Sequence, residues 1–168
     1  MLLNKNQIQS IRENKVTFVK NFVSLNRPYD FNLISDLIEE NNLQVISKSN
    51  YNSLKDVFQI REVMNLLKEF KVLFDFLNKT FKYKHHEQNN IDLFLSFVSQ
   101  AGIPHTDEED VFIIGLNGNI IYKVFNSKII DYKISKGDLI YIPRGVKHKV
   151  IGISPRIVMS IGFFSERI

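Results

Sequence analysis

At 168 residues, with 44% hydrophobic residues including 14 Phe and 6 Tyr, the chain holds enough apolar material for one compact domain and little room for a second. It has no cysteine, which excludes disulfides, thiolate zinc sites, iron–sulfur clusters and cysteine nucleophiles, so any metal must bind through His, Asp or Glu. The net charge of +4 comes from lysines interleaved with acidic residues, the pattern of a solvated surface and not of a polyanion-binding stripe.

The start, MLLNKNQIQSIRENK, lacks the apolar run of a signal peptide, and no later segment reaches membrane-spanning length; a cytoplasmic protein without a membrane partner is expected. KVTFVKNF (15–22) reads as a short strand, DFNLISDLIEENN after the Asn26-Arg27-Pro28 turn as a helix, and LQVIS (43–47) as a second strand. From Ser53 to Phe81 the residues Val63, Leu66, Leu67, Phe70, Leu73, Phe74, Leu77 and Phe81 recur at intervals of three and four, which predicts one long helix with an apolar core-facing side. From Ile91 onward the period changes. DLFLSFVS, DVFIIGL, NIIYKVF, KIIDYKI, DLIYIP, KVIGI and RIVMSIGFF are short β-branched runs separated by Gly- and Pro-containing turns, which predicts a sandwich or jelly roll. The expected organisation is a single domain over 1–168, helix-rich over 1–90 and β over 91–168, with the helices packed on one face of the β-structure.

His105 and Asp107 stand two apart at the end of a predicted strand, so their side chains share a face and can bind one ion, while Thr106 points away. His148 is the strongest third ligand because it follows GDLIYIPRGVKH, a strand running into a tight Pro and Gly turn. Two imidazoles and a carboxylate on one side of a metal form the facial triad of non-haem Fe(II) oxygenases, a set that Mn(II), Co(II) or Ni(II) can also occupy. His85 and His86, in the polar stretch KYKHHEQNN, read as loop residues; Glu108, Glu109 and Asp110 read as a solvated acidic edge, and Arg144 as an exposed turn residue.

Gly137, Pro143, Gly145 and His148 match the second cupin motif, and HTDEEDVFIIGLNGNIIYKVF resembles the first metal-binding strand pair of the JmjC-type, 2-oxoglutarate-dependent oxygenases, of the asparaginyl- and ribosomal-protein-hydroxylase kind. The resemblance covers roughly residues 91–164. It implies a double-stranded β-helix with Fe(II) held by His105, Asp107 and His148, and 2-oxoglutarate as cosubstrate. Non-oxygenase cupins resemble the chain less, since they carry HxH followed by a Glu, where this sequence has Asp107 and then Val111 and Phe112.

One departure concerns the cosubstrate. Relatives of this type carry a Lys or Arg where this chain has Ile120, and a dicarboxylate needs a cation. Arg156 with Ser160 resembles the Arg and Ser or Thr that other 2-oxoglutarate oxygenases place on the strand after the distal His; Tyr122, on the strand face of Ile120, can add a hydroxyl, and Lys123 has the wrong parity. The implied activity is hydroxylation, with O2, of an unidentified peptide, nucleic acid or small metabolite by a monomer or homodimer. The alternatives are a metal-binding cupin of another reaction class that uses no 2-oxoglutarate, and a non-catalytic ligand-binding cupin.

Overall fold

The computed structural model describes residues 3–47 and 56–168, without the side chain of residue 100. Its first element, helix α1 (Lys5–Arg12), has no counterpart in the sequence reading. It starts from a capping box: the Asn4 side chain accepts from the Gln7 N–H while the Gln7 side chain accepts from the Asn4 N–H, both at 2.9 Å. Its polar composition hides it, because Ile11 is its one fully buried residue.

Strand β1 (Thr17–Val19), helix α2 (Phe31–Asn41) with Asp30 as N-cap, and strand β2 (Val45–Ser47) fall where the pattern places them. The long helix from Ser53 does not form. Residues 53–55 lie outside the described residues; beyond them stand strand β3 (Phe58–Ile60), a 3-10 turn (Val63–Asn65) and helix α3 (Lys68–Phe81). The helical period is real over α3, whose buried Phe70, Leu73, Phe74, Leu77 and Phe81 form one face. Upstream, strand pairing overrides it. Phe58, Gln59 and Ile60 pair with Leu95, Phe94 and Leu93, and Glu62, in the left-handed region at φ 60°, turns the chain away before α3 begins.

The seven strands predicted from Ile91 all form: β4 (Asn90–Ser96), β6 (Asp110–Asn117), β7 (Ile120–Phe125), β8 (Ile129–Ile134), β9 (Leu139–Ile142), β10 (His148–Gly152) and β11 (Arg156–Phe163). A two-residue strand, β5 (Gln100–Ala101), joins them. They make two antiparallel sheets, β1-β9-β6-β11-β4-β3-β2 and β5-β10-β7-β8, facing each other as a jelly roll.

Alternation along the strands divides the core in two. Phe112, Ile114, Met159, Ile161 and Phe163 point outward beneath the helices, where Phe163 stacks on Phe74 and Tyr83 at 5.1 and 4.1 Å. Val111, Ile113, Ile120, Tyr122, Ile140 and Val158 point inward between the sheets. Among the described residues the helices therefore pack on the outward face of the larger sheet, and a cavity lies between the sheets.

Asp110 does not lie on a solvated edge. As the first residue of β6 it points to the helix side and is 4% exposed, accepting from the Tyr83 hydroxyl (2.7 Å), Arg167 Nη2 (2.8 Å) and the Arg144 N–H (3.0 Å). The Arg167 guanidinium lies over the rings of Phe81, Tyr83 and Tyr141. Arg144 is exposed, as its turn position suggests, but its Nη2 also donates to the Ser165 carbonyl at 2.7 Å. Asp110→Ala strands a half-buried guanidinium among aromatic rings and is expected to cost about 3–5 kcal/mol of unfolding free energy in urea titration, against less than about 1 kcal/mol if the network is incidental.

Candidate metal centre and cavity

The turn at Pro143 to Val146 is closed by the Val146 N–H donating to the Pro143 carbonyl (3.2 Å), with Gly145 at φ +75° in the position that needs a glycine. Residues 102–107 run antiparallel beside this turn and β10. Four backbone bonds hold them there: Gly102 N–H to the Val150 carbonyl (2.8 Å), His105 N–H to the His148 carbonyl and His148 N–H to the His105 carbonyl (both 2.9 Å), and Gly145 N–H to the Asp107 carbonyl (2.9 Å). His105 and Asp107 thus sit not at a strand end but in an extended link between β5 and β6, and His105 is the direct cross-strand partner of His148.

This pairing gathers the three side chains. Their potential ligand atoms all lie within 4.8 Å of one another, with His105 Nε2 3.7 Å and His148 Nε2 3.5 Å from the Asp107 carboxylate. Each imidazole faces, through Nδ1, the carbonyl two residues before it: Ile103 at 2.9 Å and Val146 at 3.1 Å. A carbonyl only accepts, so Nδ1 carries the proton in both rings and both Nε2 lone pairs face Asp107. Burial lowers the pKa of His148, which favours the neutral, ligating imidazole. The donor set fits one divalent ion, reached from the side of His105, whose side chain is 49% exposed against 3% for His148.

The three residues border a cavity of about 930 Å³ between the sheets. Apolar side chains, Val111, Ile113, Ile120, Val150 and Val158, form much of its wall. Arg156 enters this wall from the start of β11 and is 4% exposed. Its guanidinium lies across Gly152, where a Cβ would stand 1.7 Å from Nη1, and Gly152 is the cross-strand partner of Ile120. Arg156 Nη1 donates to the Val98 and Ser154 carbonyls (3.1 and 3.5 Å), and among the described residues no carboxylate lies within ion-pairing distance of it. Burial lowers its pKa and the neighbouring Tyr122 opposes that shift; an arginine stays charged in either case. Tyr122 lines the same wall, its phenol pKa raised by burial and then by Asp107. Lys123 points out of the sandwich and pairs with Asp131 at 2.9 Å.

The comparisons with known proteins agree with this geometry. Residues 120–168 match the JmjC domain family model, a segment that contains His148 and Arg156 and begins after His105 and Asp107. Over 51 residues the chain is 35% identical to the bifunctional lysine-specific demethylase and histidyl-hydroxylase NO66 of Branchiostoma floridae, covering 30% of this chain and 8% of that protein. The Escherichia coli ribosomal oxygenase YcfD superposes with a TM-score of 0.72 at 18% identity, over 99% of this chain and 53% of that one. The α-ketoglutarate-dependent epimerase SnoN from nogalamycin biosynthesis superposes with a TM-score of 0.73 at 8% identity, over 96% and 82% of the two chains. The fold is that of the JmjC-type cupin oxygenases. The chain spans a small fraction of NO66 and about half the length of YcfD. No helix among the described residues is long and apolar enough to cross a membrane.

Within the JmjC-type fold, the structure brings Arg156 and Tyr122 to one end of the cavity but leaves Ser160 apart from them. Ser160 lies four residues further along β11, about 13 Å at strand rise, opposite Asp92 of β4. Gln59, Asp92 and Glu109 line the cavity without having been singled out as site residues by the sequence, and neither was Gly152, which lies beneath the Arg156 guanidinium. Glu109 is not a solvated edge residue; it is half-buried against Gly162, and its pKa is raised by burial and then by Asp107. Asp92 had a readable signal, since it is the inward-facing residue between the outward Ile91 and Leu93. His85 and His86 lie in a loop, as expected.

Removing one ligand tests the centre without any turnover. Asp107→Ala and His105→Ala are expected to weaken Co(II) binding, followed by its visible absorption, by more than about 100-fold. Thermal unfolding of the metal-free proteins should stay near wild type, because both side chains are held by backbone pairing and not by packing.

Proposed function

We propose that the protein is an Fe(II)- and 2-oxoglutarate-dependent oxygenase that hydroxylates a substrate entering the cavity between the sheets. His105, Asp107 and His148 hold the metal through two Nε2 atoms and one carboxylate. The observation that carries the cosubstrate is Arg156, a buried cation on the cavity wall whose partners are carbonyls and which lacks a counter-ion among the described residues. A buried guanidinium is strongly stabilised by a carboxylate, and its fork of donors suits one. The distal carboxylate of 2-oxoglutarate supplies that group, with the Tyr122 hydroxyl beside it. YcfD, which shares the fold, has been crystallised with cobalt and 2-oxoglutarate.

Arg156 also accounts for Ile120. The position that carries a cation in similar oxygenases is apolar here, and the guanidinium reaches the same place from β11, across the glycine that pairs with Ile120. Bound together, Fe(II) and 2-oxoglutarate supply the oxidising power for O2-dependent hydroxylation, with succinate and CO2 as the cosubstrate's products. The chain's contribution is to fix both imidazoles in one tautomer, orient the dicarboxylate against Arg156, and keep water from the apolar wall. A peptide, a nucleic acid or a small metabolite is the candidate substrate, and a monomer or a dimer through the N-terminal helices the candidate assembly, in the cytoplasm.

Metal-dependent succinate formation from 2-oxoglutarate tests the proposal. Wild type should form succinate only with Fe(II), and Asp107→Ala should form none. Arg156→Ala, and Gly152→Ala, whose methyl group displaces the guanidinium, should each raise the half-saturating 2-oxoglutarate concentration by about 10- to 100-fold. Iron binding without any succinate would favour the second reading, a metal-dependent cupin of another reaction class, to which Ile120 points.

A further inference from the structure

β8 is the outermost strand of the smaller sheet, and its edge is open to a further strand. It pairs with β7 over all six of its residues without a bulge, and it contains no proline. Ile129 and Ile130 are 63% and 45% exposed. The direction of its unpaired backbone follows from β7. The Phe125 N–H donates to the Lys147 carbonyl just before β10 (2.9 Å), so the backbone groups of Ile121, Lys123 and Phe125 turn to β10 and those of Ile120, Tyr122 and Val124 turn to β8. Ile120, Tyr122 and Val124 pair with Ile134, Tyr132 and Ile130. The N–H and C=O groups of Ile129, Asp131 and Lys133 therefore point out from the edge, where β8 has no strand partner among the described residues.

From this geometry we infer that the protein forms a homodimer in which β8 pairs antiparallel with β8 of a second copy, joining the two smaller sheets into one. Charge selects both the occupant and the register. Residues directly opposite in a sheet share a face, so the twofold axis of such a pair passes through a residue and not between two. An axis at Asp131 or at Lys133 sets that charge against its own copy. An axis at Tyr132 sets Asp131 opposite Lys133 of the second copy, and Ile130 opposite Ile134, with the same pairs repeated across the axis. Asp131 and Lys133 then exchange the backbone hydrogen bonds that their own sheet leaves unmade. The Asp131 carboxylate comes to stand between its own Lys123, 2.9 Å away, and Lys133 of the second copy. Tyr132 meets its copy at the axis, on the flank where its ring lies 6.3 Å from that of Phe18 in β1. The edge thus attracts a second copy in one register and repels it in the two beside it. β8 is at the opposite edge of its sheet from β5, so the pairing lies away from His105 and the link that carries it. The dimer depends neither on a metal nor on the oxygenase reading.

Sedimentation equilibrium of the full chain tests this, with Asp131→Lys and Lys133→Asp as charge variants and thermal unfolding as the check that each is folded. Wild type is expected to dimerise at or below about 300 μM. Each single variant should weaken dimerisation by about tenfold or more, because both outward charges of its strand then have one sign. An equimolar mixture of the two variants should regain a dimer of near wild-type strength, since opposite charges then meet at every outward pair. The chain carrying both substitutions should do the same by itself, which keeps the test open if one single variant fails to fold. Wild type that is still monomeric at about 300 μM, a dimer that neither single variant weakens, as one built through the N-terminal helices would be, or a mixture and an exchanged chain that both stay monomeric overturns the inference.

Discussion

The structure depends on one piece of backbone pairing: the reciprocal hydrogen bonds between His105 and His148, which zip an otherwise irregular link onto β10. Without them residues 102–107 are tied to the sandwich only at their two ends, by the Gly102–Val150 and Gly145–Asp107 bonds. With them, two imidazoles and a carboxylate converge on a single point. The same pairing sets the chemistry of the rings, because each histidine's Nδ1 finds a carbonyl two residues back and each Nε2 is left for a metal. The tight turn at Gly145 is part of this device, since its N–H holds the Asp107 carbonyl.

Behind the metal centre, charge placement decides what the cavity accepts. Most of its wall is apolar, so each ionised group on it is expensive unless something completes it. Arg156 donates to the Val98 and Ser154 carbonyls, with no carboxylate in ion-pairing distance among the described residues, and it reaches its position because Gly152 has no side chain there. Further along β11, opposite Ser160, Asp92 is supported by Gln59 and by the Glu62 N–H, which fix its orientation.

The β half was legible because its signals are local: alternation, glycine turns, and the HxD and distal His with their motif spacing. The helix predicted from Ser53 failed for a non-local reason. Phe58–Ile60 has a partner in β4 that no window of the sequence reveals, and α1 was hidden because a capping box and one buried isoleucine hold it in place of an apolar stripe. At the site, parity placed Tyr122 and excluded Lys123 correctly, since both follow from strand period alone. Parity could not separate Arg156 from Ser160, which share a face but lie about four strand steps apart. Asp110 and Glu109 were assigned to solvent with Glu108; only the start of β6 tells them apart, sending Asp110 to the helices and Glu109 to the cavity.

The central claim is that Arg156, crossing Gly152, does the work of the cation missing at Ile120. Its most direct test is the charge-transfer absorption that 2-oxoglutarate gives on chelating Fe(II) in the anaerobic protein, compared among wild type, Arg156→Ala, and Arg156→Ala combined with Ile120→Lys. The account predicts a band in wild type, its loss at the same cosubstrate concentration in Arg156→Ala, and its return when a lysine is supplied from β7. A band of wild-type strength in Arg156→Ala, or iron-loaded wild type that gives no band, would contradict it.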